Sequence, residues 1–195
     1  ADVVSFTTHK VLRGPRGGMI LAKAEHAAAI DKAVFPGIQG GPVMSAVAGK
    51  AVALAECATP AYQNYAKDVI VNAKALAAAL ESEGMRAVSG GTQTHLALMD
   101  IRSTGVTGKV ADERCGQAGI VMNKNSIPYD PEKPGITNGI RVGSPATTTQ
   151  GMGVEEMKQI ASLISRAIKT DDSSAHTAIK AEVHALTARF PIYQA

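Results

Sequence analysis

Thr7-Thr8-His9-Lys10, followed by Leu12-Arg13-Gly14-Pro15-Arg16-Gly17-Gly18, is the densest cluster of reactive side chains in the sequence. Val3 to Thr8 is rich in β-branched residues and reads as a strand, which puts Lys10 at a strand end. Burying a lysine there is costly unless the amine is paired or deprotonated. A desolvated lysine with cationic neighbours gives up its proton more readily, which suits attack on a carbonyl carbon. His9, Arg13 and Arg16 supply such neighbours in sequence. The residues alone leave a structural reading open, a lysine that reaches solvent from a strand end. A second candidate is Gly40-Gly41, because glycine lets backbone N–H groups approach a phosphate with no Cβ in the way. An isolated Gly-Gly is equally a plain turn.

The elements that must position these groups can be read in outline. A Gly/Arg-rich turn over 13–18 leads into a short strand, Met19-Ile20-Leu21. Residues 24–33 are Ala-rich and favour helix. Phe35 to Pro42 holds three glycines and two prolines and makes a shaped loop. Pro42 suits the first turn of a helix over 43–58, and Thr59-Pro60 caps and starts another. That helix carries Tyr62, Tyr65, Ala66, Val69, Ala73, Leu76 and Leu80 as one stripe, and Gly84 ends it. Short strands are expected at 86–88, 95–101 and 120–122. Between the last two, Thr107 caps a helix that ends near Gly116. A Pro-rich loop over 126–139 precedes Ile140-Arg141-Val142-Gly143. Met157 to Ile168 and Ile179 to Phe190 mark two final helices, with Asp171 to Ser174 as an exposed linker. Two parts result: residues 1–60, a strand-and-helix portion, and residues 61–195, a smaller α/β layer domain.

The chain has 195 residues, 45% apolar and 19% charged, as a globular domain should. A net charge of +3 with no basic run gives no reason to expect nucleic acid. No apolar stretch is long enough for a membrane helix, and no signal peptide opens the chain. Cys57 and Cys115 form no CxxC pattern and read as reduced, buried thiols of a cytoplasmic protein. His26, His176 and His184 have no partner at metal-ligand spacing, so no metal is expected.

Residues 7–18, Thr-Thr-His-Lys-x-Leu-Arg-Gly-Pro-Arg-Gly-Gly, resemble the cofactor-lysine signature of serine hydroxymethyltransferases. Ser5-Phe6 and Val11 depart from the threonines usual there. Further stretches agree in order: Phe35-Pro36-Gly37 with Gln39-Gly40-Gly41-Pro42; Ala48 to Ala51; Ser89-Gly90-Gly91-Thr92 with His95-Leu96; Asn123-Lys124-Asn125 with Pro128; and Gly139 to Ala146. The resemblance covers residues 3–168. It implies an aspartate-aminotransferase-like α/β fold (fold type I of pyridoxal-phosphate enzymes), with residues 1–60 a partial large domain and 61–195 a long helix and a small C-terminal α/β domain. It implies transfer of the serine hydroxymethyl group to tetrahydrofolate, giving glycine, with pyridoxal 5′-phosphate as cofactor.

Carried over residue by residue, Lys10 would hold the cofactor covalently, with His9 and Thr7 beside it and Arg16 as a site arginine. Gly40 and Gly41 would reach the cofactor phosphate of a neighbouring subunit, so a homo-oligomer, dimer or tetramer, with a shared site is expected. Arg141 would bind the substrate carboxylate, for which a planar, permanently charged, bidentate guanidinium is suited. The bland alternative for Arg141 is a structural salt bridge. Asn125 would contact the pteridine edge, an amide offering both donor and acceptor; loop capping is its alternative. Pro134 is carried over as a folate-contacting residue, and His95 reads as structural. The family's upstream half, with its ring-stacking and pyridine-pairing groups, does not appear in these residues. The chain is therefore expected to be inactive alone, as a fragment or as a partner of an N-terminal half. The rival readings are a non-catalytic half-subunit and another enzyme of the same fold, such as a threonine aldolase.

Overall fold

The β-branched run near the start forms β1 (Val3–Thr7), which pairs antiparallel with β2 (Gly18–Ala22) in register Val3↔Ala22 through Thr7↔Gly18. In the computed structural model, which describes residues 1–193, this hairpin belongs to the first of two compact units, Ala1–Asn64, the second beginning at Tyr65. The expectation of a buried strand fails. Only Phe6 in β1 is half-buried, and Val3 and Val4 are each 46% exposed. A two-stranded ribbon buries little unless a further layer lies on it.

After β2 come α1 (Ala24–Lys32), a wide-turned stretch over Ala33–Ile38 and α2 (Met44–Cys57). The wide-turned stretch leaves helical geometry at Phe35 and Pro36, so the shaped loop expected there is present. Pro42 does not open α2. Val43, extended at φ −72° and ψ 104°, is the N-cap, so the helix starts at Met44. Helix α3 (Pro60–Ser82) starts on its proline, with the Thr59 hydroxyl accepting from the Tyr62 N–H at 3.3 Å. The unit boundary falls within this helix.

The second unit holds a hydrophobic core. The α3 stripe buries Val69, Ala73, Leu76 and Leu80, and Gly84 at φ +96° closes the helix as Met85 N–H donates to the Leu80 carbonyl at 3.1 Å. A four-stranded antiparallel sheet follows, built from β3 (Arg86–Ala87), β4 (Leu96–Asp100), β5 (Asn123–Asn125) and β6 (Gly139–Gly143), in the order β3-β4-β6-β5. Between β4 and β5 lies α4 (Gly108–Gln117), capped by Thr107 as expected. After β6 come α5 (Pro145–Thr149), α6 (Val154–Lys169) and α7 (Ser173–Ala188). Met99 and Ile140 from the sheet join Cys115 of α4, Met157 and Ile164 of α6 and Ile179 of α7 in one cluster.

Three further expectations are corrected. The strand placed at Ile120–Met122 begins at Asn123 instead. Ile120 N–H donates back to the Cys115 carbonyl at 2.8 Å, which ties residue 120 to the end of α4, and Val121 is exposed. The linker at Asp171–Ser174 is shorter, because Asp172 caps α7 by accepting from Ser174 N–H at 2.9 Å and both serines enter the helix. Cys57 is half-buried rather than buried. Among the described residues no helix is long and apolar enough to cross a membrane.

Candidate functional site

In the first unit Thr7, His9, Lys10 and Arg16 lie at the loop end of the β1–β2 hairpin, in or beside the connection over residues 8–17. The loop after Thr7 is held by its own backbone. The carbonyls of Thr8 and Lys10 accept from Gly14 N–H at 2.7 Å and Arg13 N–H at 2.9 Å. The Val11 carbonyl accepts from the Tyr62 hydroxyl at 3.2 Å, and the Leu12 carbonyl is 3.6 Å from the Cys57 thiol. Thr8, buried, donates its hydroxyl to the Pro15 carbonyl at 2.7 Å and its N–H to the Gly17 carbonyl at 3.0 Å. Gly14 must be glycine here: a Cβ would stand 2.9 Å from the Thr8 carbonyl oxygen and 3.2 Å from the Ala53 Cβ. Lys50 of α2 reaches in to donate to the Gly18 carbonyl at 3.0 Å.

Lys10 projects from this tethered loop. It is exposed, and among the described residues its ammonium makes no hydrogen bond or ion pair. The sequence argument from burial at a strand end therefore does not apply within this unit. His9 is half-buried, its Nδ1 lying 3.3 Å from the Gly17 carbonyl oxygen and 3.4 Å from the Gly17 nitrogen, so the ring is oriented by the backbone of one residue whichever tautomer it takes. Thr7 and Arg16 are exposed. Gly40 and Gly41 are exposed in the loop before α2, and a Cβ on either would meet nothing within 4 Å. No close approach inside the unit calls for glycine at those two positions.

In the second unit, register decides which side chains share a face. Leu98, Arg141 and Asn123 are directly cross-strand, as are Asp100, Gly139 and Asn125. Directly opposed residues point to the same side of a sheet and alternate residues agree. Arg141, Asn123 and Asn125 therefore stand together on one face, opposite to Ile140 and Val142, which enter the core. Lys124, on the core side, pairs with Asp112 of α4 at 3.5 Å. Arg141 is exposed and has no ion pair or side-chain hydrogen bond among the described residues, so the structural salt bridge considered for it is absent. Asn125, half-buried, donates its amide to the Ser126 carbonyl at 3.0 Å. Gly139 is required by packing: a Cβ there would lie 2.6 Å from the Ile127 Cγ2 and 2.7 Å from the Asn125 carbonyl oxygen. His95 is half-buried and its carbonyl accepts from Ser144 N–H at 3.1 Å.

The loop between β5 and β6 carries Pro134, exposed at the second position of a turn in which Ile136 N–H donates to the Lys133 carbonyl at 2.8 Å. Sequence reading missed the residue that organises this loop. Asp130 accepts four hydrogen bonds: at Oδ2 from the N–H groups of Ile127 (3.2 Å) and Asn138 (2.8 Å), and at Oδ1 from Glu132 N–H (3.0 Å) and the Asn138 side-chain amide (2.7 Å). Burial pushes its pKa up, but these donors outweigh it and hold the carboxylate below its ordinary range. The only available signal was Asp130-Pro131, a pair that favours a turn. At the far end of β4, Asp100 lies between Arg102 at 2.7 Å and Arg86 at 2.9 Å, and the Arg102 hydrogen bond chiefly lowers its pKa to about 2. Among the described residues no three His, Cys, Asp or Glu side chains gather as metal ligands would.

The sequence model of the serine hydroxymethyltransferase family matches residues 1–164. The chain is 52% identical, over its whole length, to the serine hydroxymethyltransferase of Paracidovorax citrulli, and covers 47% of that relative. It is 53% identical over 99% of its length to that of Polynucleobacter necessarius and 52% identical over all of it to that of Methylobacillus flagellatus, again covering 47% of each. The chain thus spans about half the length of the curated relatives it matches. With a family match over residues 1–164 and about half of its residues identical to those of each relative, this chain belongs to the serine hydroxymethyltransferase family.

Proposed function

We propose that these residues serve the reversible transfer of the serine hydroxymethyl group to tetrahydrofolate, yielding glycine, in a fold type I enzyme. In it, unit 1 is part of the large domain and unit 2 the small C-terminal domain. The observation that carries the reading is Lys10, whose side chain has no partner among the described residues and stands on a loop whose carbonyls at Thr8, Lys10, Val11 and Leu12 are each engaged. The donor set fits pyridoxal phosphate at the ends these residues can serve: an amine for its carbonyl, glycines for its phosphate, and a guanidinium for the carboxylate of the amino acid. When bound, the cofactor supplies an electron sink for the bond broken at the substrate α-carbon.

Lys10 would hold the cofactor covalently through its amine, at the carbonyl that the amino group of serine or glycine also needs. His9, oriented by the Gly17 backbone, and Thr7 border it, and Arg16 lends positive charge. Gly40 and Gly41 offer N–H groups to the phosphate in a neighbouring subunit of a dimer or tetramer. Exposed Phe35, Ile38, Val43 and Met44 beside that loop support an interface there. Arg141 grips the substrate carboxylate through two parallel N–H donors. Asn125 and, at the loop surface, Pro134 contact the pterin of tetrahydrofolate. The remaining groups come from the part of the relatives that this chain does not span, so catalysis by the chain alone is not expected. Two free cysteines fit a reducing cytoplasm. The family match gives no support to the threonine aldolase reading, and a non-catalytic role would apply only to the chain without the rest of the relatives' length.

The test joins this chain to the N-terminal part of the Paracidovorax citrulli relative and adds pyridoxal phosphate. A visible absorption band that disappears in Lys10→Ala, with glycine formed from serine only when tetrahydrofolate is present, is the expected result. A band that survives the substitution overturns Lys10 as the carrier, and glycine formation indifferent to tetrahydrofolate overturns the folate assignment.

A further inference from the structure

The β5–β6 connection raises a question that its sequence does not answer. Asn125 and Arg141 are diagonal neighbours on one sheet face, yet thirteen residues, 126–138, loop out between their strands. A loop of that length leaves the two strand ends free to shift unless something pulls them together. β5 is only three residues long. Its three register pairs with β6 are a weak hold.

Asp130 supplies the missing tie. Its Oδ2 joins Ile127 N–H, two residues beyond Asn125, to Asn138 N–H, three residues before Arg141. Its Oδ1 takes the Asn138 amide and the Glu132 N–H. The same stem is fixed from outside. Ile101 N–H donates to the Asn138 carbonyl at 3.0 Å, and Gly108 and Lys109 at the start of α4 donate to the Thr137 and Ile136 carbonyls at 2.9 Å each. Ile127 is buried against Gly139. Charge-assisted bonds are roughly twice as strong as neutral ones, so one carboxylate holding donors from both stems makes a short, stiff bridge.

We infer that Asp130 is a positioning residue for ligand binding, clamping the ends of β5 and β6 so that the Asn125 amide and the Arg141 guanidinium are held at a fixed separation on one face. This rests on the proposed roles of Asn125 toward tetrahydrofolate and Arg141 toward the amino-acid carboxylate. The bridge ties the two subsites to one carboxylate, so its loss weakens both together, although Asp130 itself need touch neither ligand.

The experiment uses the same joined protein with pyridoxal phosphate and measures KM for serine, KM for tetrahydrofolate and kcat, together with amide hydrogen exchange at Ile127 and Asn138. The variants are Asp130→Asn, which replaces one acceptor oxygen by a donor, Asn138→Ala, which removes one of the four bonds and leaves the carboxylate in place, and Asn125→Ala. The inference expects both KM values to rise at least fivefold in Asp130→Asn, in the same direction and less in Asn138→Ala, with kcat changed less and exchange faster at both amides. Faster exchange with both KM values unchanged overturns it, because the clamp would then serve stability alone. A rise in only one KM also overturns it. If Asp130→Asn does not fold, Asn138→Ala decides by the same readouts. Unchanged tetrahydrofolate KM in Asn125→Ala overturns the underlying folate reading instead, and the inference with it.

Discussion

Two thiols with different surroundings show what a residue's neighbourhood does to its chemistry. Cys115 of α4 is fully buried in the core, and burial, reinforced by Asp112, pushes its pKa up to about 12. The thiolate is the reactive form, so Cys115 should be inert while the protein is folded. Cys57 is half-buried against the Leu12 carbonyl. Titration with a thiol reagent at pH 8 should therefore modify Cys57 first and reach Cys115 only on unfolding. Two equal fast phases would contradict this arrangement. The candidate site residues show how far the sequence could be read. Lys10, Arg141 and Asn125 could be chosen from it because their chemistry and flanking motifs are local. That Arg141 has no partner among the described residues could not be read, since that depends on which face of the sheet it occupies. Nor could the role of Asp130, whose four donors come from residues on both sides of it in a loop with no periodicity.

At the scale of elements, the end of the sheet is fastened by charge. Arg86 of β3 lies directly across from Asp100 of β4, and Arg102, just beyond β4, closes on the same carboxylate. The Asp100 side chain is only 5% exposed, while both arginines are about half exposed. Its folded pKa of about 2 lies below an unfolded value of about 3.9. The stabilisation is therefore complete above about pH 4 and is lost as pH falls from there toward 2. The shift corresponds to about 2.5 kcal/mol, and screening at the exposed arginines reduces the expected gain to about 1–2 kcal/mol. Urea unfolding of Asp100→Asn should show a loss of that size at pH 7, shrinking toward pH 2.5; a loss independent of pH would rule the ion pairs out as its cause. The elements most legible in sequence were those with a long period. The α3 stripe and the apolar positions of α6 repeat over several turns, so tertiary packing and local pattern agree. β5 was misplaced because its own residues, Asn123-Lys124-Asn125, are polar on both faces, whereas the apolar run before it belongs to the turn that closes α4. α5, five residues with three threonines, carries too little pattern to be read as a helix.

The whole molecule is unequal in how its halves are built. The second unit gathers more than twenty buried side chains, from seven elements and the turns between them, into one cluster. In the first unit only Thr8 and Ala53 are buried, while Ile20, Leu21, Ile38 and Val52 are from 44% to 80% exposed. At roughly 25 cal/mol per Å² of apolar area removed from water, a unit that buries two small side chains gains little against the ordering of residues 1–64, which costs of order 1–2 kcal/mol each. Local stability must follow the same division. Brief trypsin digestion of the chain on its own should cut first at Lys10, Lys32 and Lys50, leaving a resistant core that begins in α3. Joining it to the N-terminal part of a relative should protect those three sites, since the exposed apolar side chains of β1, β2 and α2 would then have a surface to pack on. Equal resistance of the two units in the isolated chain would mean that the hydrogen-bonded loop around Lys10 stabilises the first unit far more than its burial suggests. Cleavage undiminished in the joined protein would mean that the apolar surface of the first unit is covered by some other partner, such as a second copy of the chain.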